Sequence, residues 1–194
     1  MLVLASGSAS RKAMLKAAGV PFEAVPAQVD ERSLETEMDG EAPEEIAQAL
    51  AAAKATAVSA DRTEALVLGS DSLAVCEGRR FDKSETREQA AEHLRFFSGK
   101  VLELHSAAAL AKGGRVEWVN GSLARLKVRE LDDAFIEQYL DTEWPAVSQC
   151  VGVFRIEARG VHLFEQIAGD HFTVLGMPLL QVLEALRERG ASPL

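Results

Sequence analysis

Near its middle the chain reads VLELHSAAALAKGGRVEWVNGSLARLKV, two long runs interrupted by Gly113-Gly114. Paired glycines between strand-like segments are a strong hairpin signal, because a two-residue turn of the right hand needs positive φ at both positions. Val101 to Ala111 and Arg115 to Val128 therefore read as hairpin partners. Helical patterns stand on both sides of them. The chain is thus expected to be mixed α/β with hairpins, not a purely alternating βαβ sheet.

The remaining elements follow from local pattern. Leu2 to Ala5 reads as a short buried strand, followed by a helix from about Ser10 to Ala18 that Gly19 ends. Pro21 to Val25 suits a second strand, and the acidic stretch from Asp30 to Glu45 reads as a loop. Pro43 suits the first turn of a helix carrying Ile46, Leu50 and Val58 on one side. Leu66 to Leu68 reads as a strand running into Gly69-Ser70-Asp71-Ser72, resumed over Leu73 to Cys76, with Glu77-Gly78 a turn. Glu85 to Phe97 and Asp132 to Leu140 have helical spacing, and Pro178 opens a last helix over Leu179 to Arg189. Val151 to Ile156 and Val161 to Ile167 look like another strand pair.

The 194 residues suit one domain, 1–194, long enough to bury a core without disulfides or structural metal. A formal charge of −9 gives no basic face, so neither nucleic acid nor an acidic membrane is an expected partner. An anionic ligand must be held by a few local cations. Cys76 and Cys150 form no zinc pattern and are expected to be reduced. The four histidines lack HExxH spacing. The first apolar run is too short for a secretory segment and no stretch approaches bilayer length, so a cytoplasmic protein is expected.

Five short stretches carry possible chemistry. Ser6, Gly7 and Ser8 precede a helix start, where uncovered N–H groups favour an anion; a plain serine cap is the alternative. Arg11 lies in the first helical turn against the macrodipole, so something should offset it, as a bound phosphate would. Lys54 shares the stripe of Ile46 and Leu50, so it either snorkels past the core edge or points into a cleft. Asp71 interrupts a strand-like apolar run, either as a turn aspartate or as a carboxylate that binds a divalent cation or takes a proton from water. Lys83, in FDKSE, and Glu157, in VGVFRIEARG, are explained equally by solvent exposure.

In their order and spacing, LASGSASR, VDE at 29–31, Lys54, GSD at 69–71, Lys83, FSGK at 97–100, GVFRIEARG at 152–160 and IAGDHFTVLGMPL at 167–179 resemble the Maf family of nucleoside triphosphate pyrophosphatases. The resemblance covers nearly the whole chain. It implies a two-lobed Maf/ITPase-like α/β fold, with a long mixed central sheet flanked by helices, a cleft between the lobes, and often a homodimer. It implies hydrolysis of a nucleoside triphosphate to the monophosphate and pyrophosphate with a divalent metal: magnesium, manganese or cobalt. By motif, Asp71 resembles the proton acceptor. Ser6, Ser8, Arg11, Lys54 and Lys83 resemble residues that hold the phosphate chain, and Glu31 with Asp71 would hold the metal. Ser10, Ser72 and Glu157 match positions that separate substrate classes.

The chain also departs from the family pattern. The usual Ser-Pro-Arg-Arg is here Ser8-Ala9-Ser10-Arg11. The branch resembling dTTP/UTP pyrophosphatases has arginine at position 10 and threonine at 72; the 7-methyl-GTP branch has tryptophan and glutamine. Glu157, VHLFEQ and the Ser-Pro-Leu end lean towards the 7-methyl-GTP branch, whereas Ser10 lacks the stacking surface of a tryptophan. The alternative reading is a nucleotide-binding regulator of cell division with weak or no catalysis.

Overall fold

Strand β1 (Leu2–Leu4) shows how the fold is built, because its alternate residues serve two different cores. Leu2 and Leu4 are buried with Met14 and Leu15 of helix α1 (Ala9–Ala17) and with Leu179, Val182 and Leu186 of helix α7 (Leu179–Glu188). Val3 and the following Ala5 cluster instead with Val58 of helix α3 (Pro43–Asp61). Helices therefore cover both faces of the strand. The computed structural model describes residues 1–192; of the Ser-Pro-Leu end, Pro193 and Leu194 lie outside the described residues.

Strand β1 pairs in parallel with β2 (Phe22–Ala24) on one side and β3 (Leu66–Cys76) on the other, with Leu4 opposite Ala24 and Leu68. Beyond β3 the seven-stranded sheet continues through β5 (Val101–Lys112), β6 (Arg115–Val128) and β7 (Phe164–Ala168), while β4 (Arg79–Phe81) folds back antiparallel on β3. Gly113 and Gly114, at φ 55° and 76°, join β5 to β6 as the expected hairpin. The mixed sheet with flanking helices is the architecture that the resemblance implied.

The chain divides into two compact units. The first comprises residues 1–72 and 105–122 and the segment from Asp170 onward; the second comprises 73–104 and 123–169. Strands β3, β5 and β6 contribute residues to both. In the second unit Phe81 meets Phe97 edge-on at 4.7 Å between ring centroids, and Phe154 meets Phe164 likewise at 4.8 Å. Helices α4 (Arg87–Phe97) and α5 (Asp133–Glu143) are tied by Arg87, which donates to Glu137 at 2.7 Å and Asp141 at 2.6 Å.

Several sequence expectations are corrected. The 30–45 stretch is not all loop: helix α2 (Glu31–Glu37) forms there, with Asp30 accepting from the Ser33 N–H at 3.0 Å. Its helix lacks an apolar stripe, which is why periodicity does not find it. Strand β3 runs unbroken through Gly69 to Ser72, because its small polar side chains have partners outside the strand. Val151 to Ile156 is turn and irregular backbone, and Val161 falls in a short 3-10 segment, Arg159–Leu163, ahead of β7. Val153 sits at φ 57°, a conformation no strand contains. Strand β4 and the four-residue helix α6 (His171–Val174) are additions. No helix among the described residues is long and apolar enough to cross a membrane.

Candidate active site

The site grows from the alternation along β3. Val67, Gly69 and Asp71 point to the α3 side, where Val67 shares a core with Val58. A Cβ on Gly69 would lie 2.2 Å from the Ala51 carbonyl oxygen and 2.6 Å from the Ala55 nitrogen. Only glycine lets the helix backbone come this close. Alanines at 47, 51 and 55 make the facing helix surface equally low. The close approach brings Lys54 to the next residue on that side of the strand.

Lys54 Nζ lies 2.6 Å from Asp71 Oδ1 and 3.0 Å from Glu31 Oε2. The Lys54 and Asp71 side chains are 12% and 11% exposed, so the pair is largely withdrawn from water, whereas Glu31 is 46% exposed on α2. A buried charge without its partner costs several kcal/mol, roughly 3–5. Lys54 therefore points inward rather than snorkelling, and Asp71 is not a turn residue bonded to its own backbone. Lys54 donates a hydrogen bond to Asp71 and forms an ion pair with Glu31.

The opposite side of β3 carries Ser70 and Ser72, and here Arg11 arrives from α1. Its Nε donates to the Gly176 carbonyl at 2.9 Å, and Nη1 donates to the Ser70 carbonyl at 2.9 Å and to Ser6 Oγ at 3.4 Å. Nη2 donates to Ser72 Oγ at 3.1 Å. Four of its five N–H groups are thus engaged by the protein. Burial pulls the guanidinium pKa down, and Asp71 and then Glu31 pull it back. An arginine so placed stays charged. Carbonyl oxygens and nearby carboxylates thus offset its position in the first turn of α1, without an anion being required.

The serine loop is organised in the same way. Ser8 caps α1, its Oγ accepting from the Arg11 N–H at 3.4 Å, and Ser6 Oγ accepts from the Ser8 N–H at 3.2 Å. Ser10 is half-buried in the first turn of α1. Ser6, Ser8, Ser10, Arg11, Glu31, Lys54, Asp71 and Ser72 all belong to the first unit.

Lys83 and Glu157 belong to the second unit. Lys83 is exposed between β4 and α4. Its neighbour Ser84 is buried, with Oγ 3.2 Å from His93 Nδ1. Burial, and then Arg79, hold the His93 pKa down. Glu157 is exposed in a turn rather than at a strand end. The preceding backbone is held by α5: Tyr139 donates to the Val153 carbonyl at 3.0 Å, and Arg155 donates twice to buried Glu143, at 3.0 and 2.8 Å.

Comparison with known proteins gives this geometry a context. The Maf-like protein family matches residues 1–189. The chain belongs to that family. Relatives include a nucleoside triphosphate pyrophosphatase of Rhodopseudomonas palustris (strain BisB18), 45% identical across 97% of this chain and 93% of the relative. A 7-methyl-GTP pyrophosphatase of Mesorhizobium japonicum is 45% identical across 98% of this chain and 96% of its own length, and one of Rhizobium meliloti is 43% identical across 98% and 97%. Sequence reasoning on this Maf-like chain did not single out Ser70, Ser84, His93, Ser106, Thr173 or Gly176. Ser70, Ser106, Thr173 and Gly176 are joined by hydrogen bonds across 67 to 106 residues of sequence, which no local spacing marks, and the nine-residue Ser84–His93 contact matches no motif.

Proposed function

We infer that this chain is a nucleoside triphosphate pyrophosphatase, a hydrolase that cleaves the α–β phosphoanhydride bond to release pyrophosphate and a nucleoside monophosphate. The observation that carries the reading is the Lys54 ammonium held between Asp71 and Glu31, with the Arg11 guanidinium near enough for both carboxylates to offset part of the burial that lowers its pKa. Such a cluster suits a triphosphate in a protein whose net charge is −9, because local cations can hold an anion that the overall field would repel. Lys54 and Arg11 each keep donor capacity for phosphate oxygens, and Ser6 and Ser8 shape the loop beside them. Asp71 bonds Lys54 through Oδ1, and its second oxygen would take a proton from the attacking water. Lys83 and Glu157 are assigned by resemblance alone to phosphate holding and base choice.

The residues fit a divalent cation. Asp71 and Glu31 already face one positive charge, and hard carboxylate oxygens are the donors that magnesium or manganese takes. Among the described residues no set of three His, Cys, Asp or Glu side chains gathers for a metal, so water and phosphate oxygens would complete the shell. When bound, the ion supplies charge neutralisation at the phosphates. Positioning and fixed electrostatics do the rest.

Pure protein with a panel of 7-methyl-GTP, GTP, UTP, CTP and dTTP, each with magnesium, manganese or cobalt, tests the reading. Equimolar pyrophosphate and monophosphate are expected from at least one nucleotide, with 7-methyl-GTP among the substrates. Release of orthophosphate, or no turnover of any nucleotide, would overturn it.

A further inference from the structure

A short chain of hydroxyls lies behind Arg11. Ser72 Oγ is within hydrogen-bond distance of three groups: Arg11 Nη2 at 3.1 Å, the Gly176 carbonyl at 3.0 Å and Ser106 Oγ at 2.9 Å. Ser106, on β5, is 1% exposed, and its Oγ also lies 2.9 Å from the Thr173 carbonyl. The two hydroxyls have two protons between them for three such contacts, so the directions can be worked out.

If Ser72 donated to Gly176, that one carbonyl would face three donors, because Arg11 Nε at 2.9 Å and Ser70 Oγ at 3.2 Å already donate to it. A carbonyl oxygen has two lone pairs. If Ser72 donates to Ser106 and Ser106 to the Thr173 carbonyl, every atom is satisfied. Gly176 then keeps its two donors, and Thr173 takes Ser106 together with the Gly176 N–H at 3.0 Å. The order is therefore Arg11 to Ser72 to Ser106 to Thr173. A chain headed by a cation is polarised along its length, which strengthens each bond.

We propose that Ser106 is a positioning residue for the nucleotide site, the buried acceptor that turns Ser72 inward and so fixes the Arg11 head. The inference rests on the pyrophosphatase reading above. Ser72 then has no proton to offer a ligand, and position 72 acts on substrate through Arg11. Removing the Ser106 hydroxyl sends the Ser72 proton to the crowded Gly176 carbonyl, where it competes with Arg11 Nε.

The test compares Ser106→Ala with Ser106→Thr, which restores the hydroxyl, and with Ser59→Ala. Ser59 is another fully buried serine of the same unit, bonded instead to the Thr56 carbonyl and the Gly114 N–H. Ser106→Ala is expected to raise KM for the preferred nucleotide about 10-fold with kcat within about twofold, as loss of one positioned phosphate contact would. Ser106→Thr should recover most of this, and Ser59→Ala should lower Tm without moving KM. Ser72→Ala with Ser106→Ala should be no worse than either alone in KM, and non-additive in urea unfolding. An unchanged KM in Ser106→Ala, an equal rise in Ser59→Ala, or strict additivity in unfolding overturns the proposal. Lack of turnover in the wild type defeats the underlying reading and the positioning role with it; the unfolding cycle, which needs no activity, tells that case from a missing hydroxyl chain.

Discussion

Arg11 and Lys54 reach neighbouring residues of β3 from opposite sides, and the two sides are built on different physics. Towards α3 the strand offers no side chain at Gly69, and the helix backbone settles against it so closely that a single lysine can meet Asp71 at 2.6 Å. Towards α1 the strand offers the Ser70 carbonyl and the Ser72 hydroxyl, and with Ser6 Oγ and the Gly176 carbonyl these hold Arg11 by four directional bonds. The first side depends on steric approach and one strong ion pair. The second depends on a hydrogen-bond network in which many weaker contacts fix one planar head. A compact ammonium suits the former and a rigid five-donor fork the latter. On the proposed function, reactivity belongs with the sparse side, where Asp71 would take the proton, and geometry with the crowded one.

Asp71→Asn is the sharpest way to break that division. The amide keeps the shape, and Lys54 keeps Glu31 as a partner, so the fold and nucleotide binding should survive. Turnover should fall about 1000-fold, the scale of losing a positioned proton acceptor. Calorimetric binding of a non-hydrolysable triphosphate, measured beside kcat, checks both halves. A kcat within tenfold of the wild type would remove Asp71 from the chemistry.

Gly69→Ala comes next in size, because it attacks the approach itself. The added methyl would sit 2.2 Å from a helix carbonyl, and backbone cannot swing away as a side-chain tip does. The helix must shift or the strand bend, at about 2 kcal/mol or more. Urea unfolding should show that loss, and kcat should fall because Lys54 moves with α3. If stability were unchanged, the close packing of α3 on β3 would not be what positions Lys54.

Much of this arrangement was legible in the sequence wherever a local rule had one outcome. The Gly113-Gly114 hairpin, the proline at the start of α3 and the last helix follow from turn and cap chemistry, and all are present; of the two aspartates that suit the start of α5, Asp132 is the cap. Lys54 on an apolar stripe and Asp71 inside a strand run both stand out in the sequence, and the fold brings them together. Other features lay beyond any local rule. The partners of Arg11 lie up to 165 residues away, so its four bonds to the protein leave no trace near position 11. Val151 to Ile156 alternates like a strand yet is buried as a loop, because Tyr139 and Glu143 of α5 hold its backbone and Arg155. Helix α2 owes its start to one cap, not to periodicity.

That cap gives the smallest expected effect, and it concerns the most exposed member of the sparse side, Glu31. The Ser33 N–H donates to Asp30 Oδ1 at 3.0 Å and its hydroxyl to Oδ2 at 2.9 Å, and these bonds, the backbone one first, hold the Asp30 carboxyl below the usual carboxylate range. A depressed folded pKa means the cap's contribution is complete above the unfolded value, about 3.9, and is lost as pH falls through the lower folded value. Asparagine caps through its carbonyl and does not ionise. Acid titration followed by Cα chemical shifts of residues 31–37 should therefore show α2 fraying in the wild type but not in Asp30→Asn, with neutral-pH turnover of the two alike within about twofold. Identical acid responses would mean that α2 is held by something other than its cap. Glu31 would then reach Lys54 by packing, and the sparse side of β3 would be less sparse than its contacts suggest.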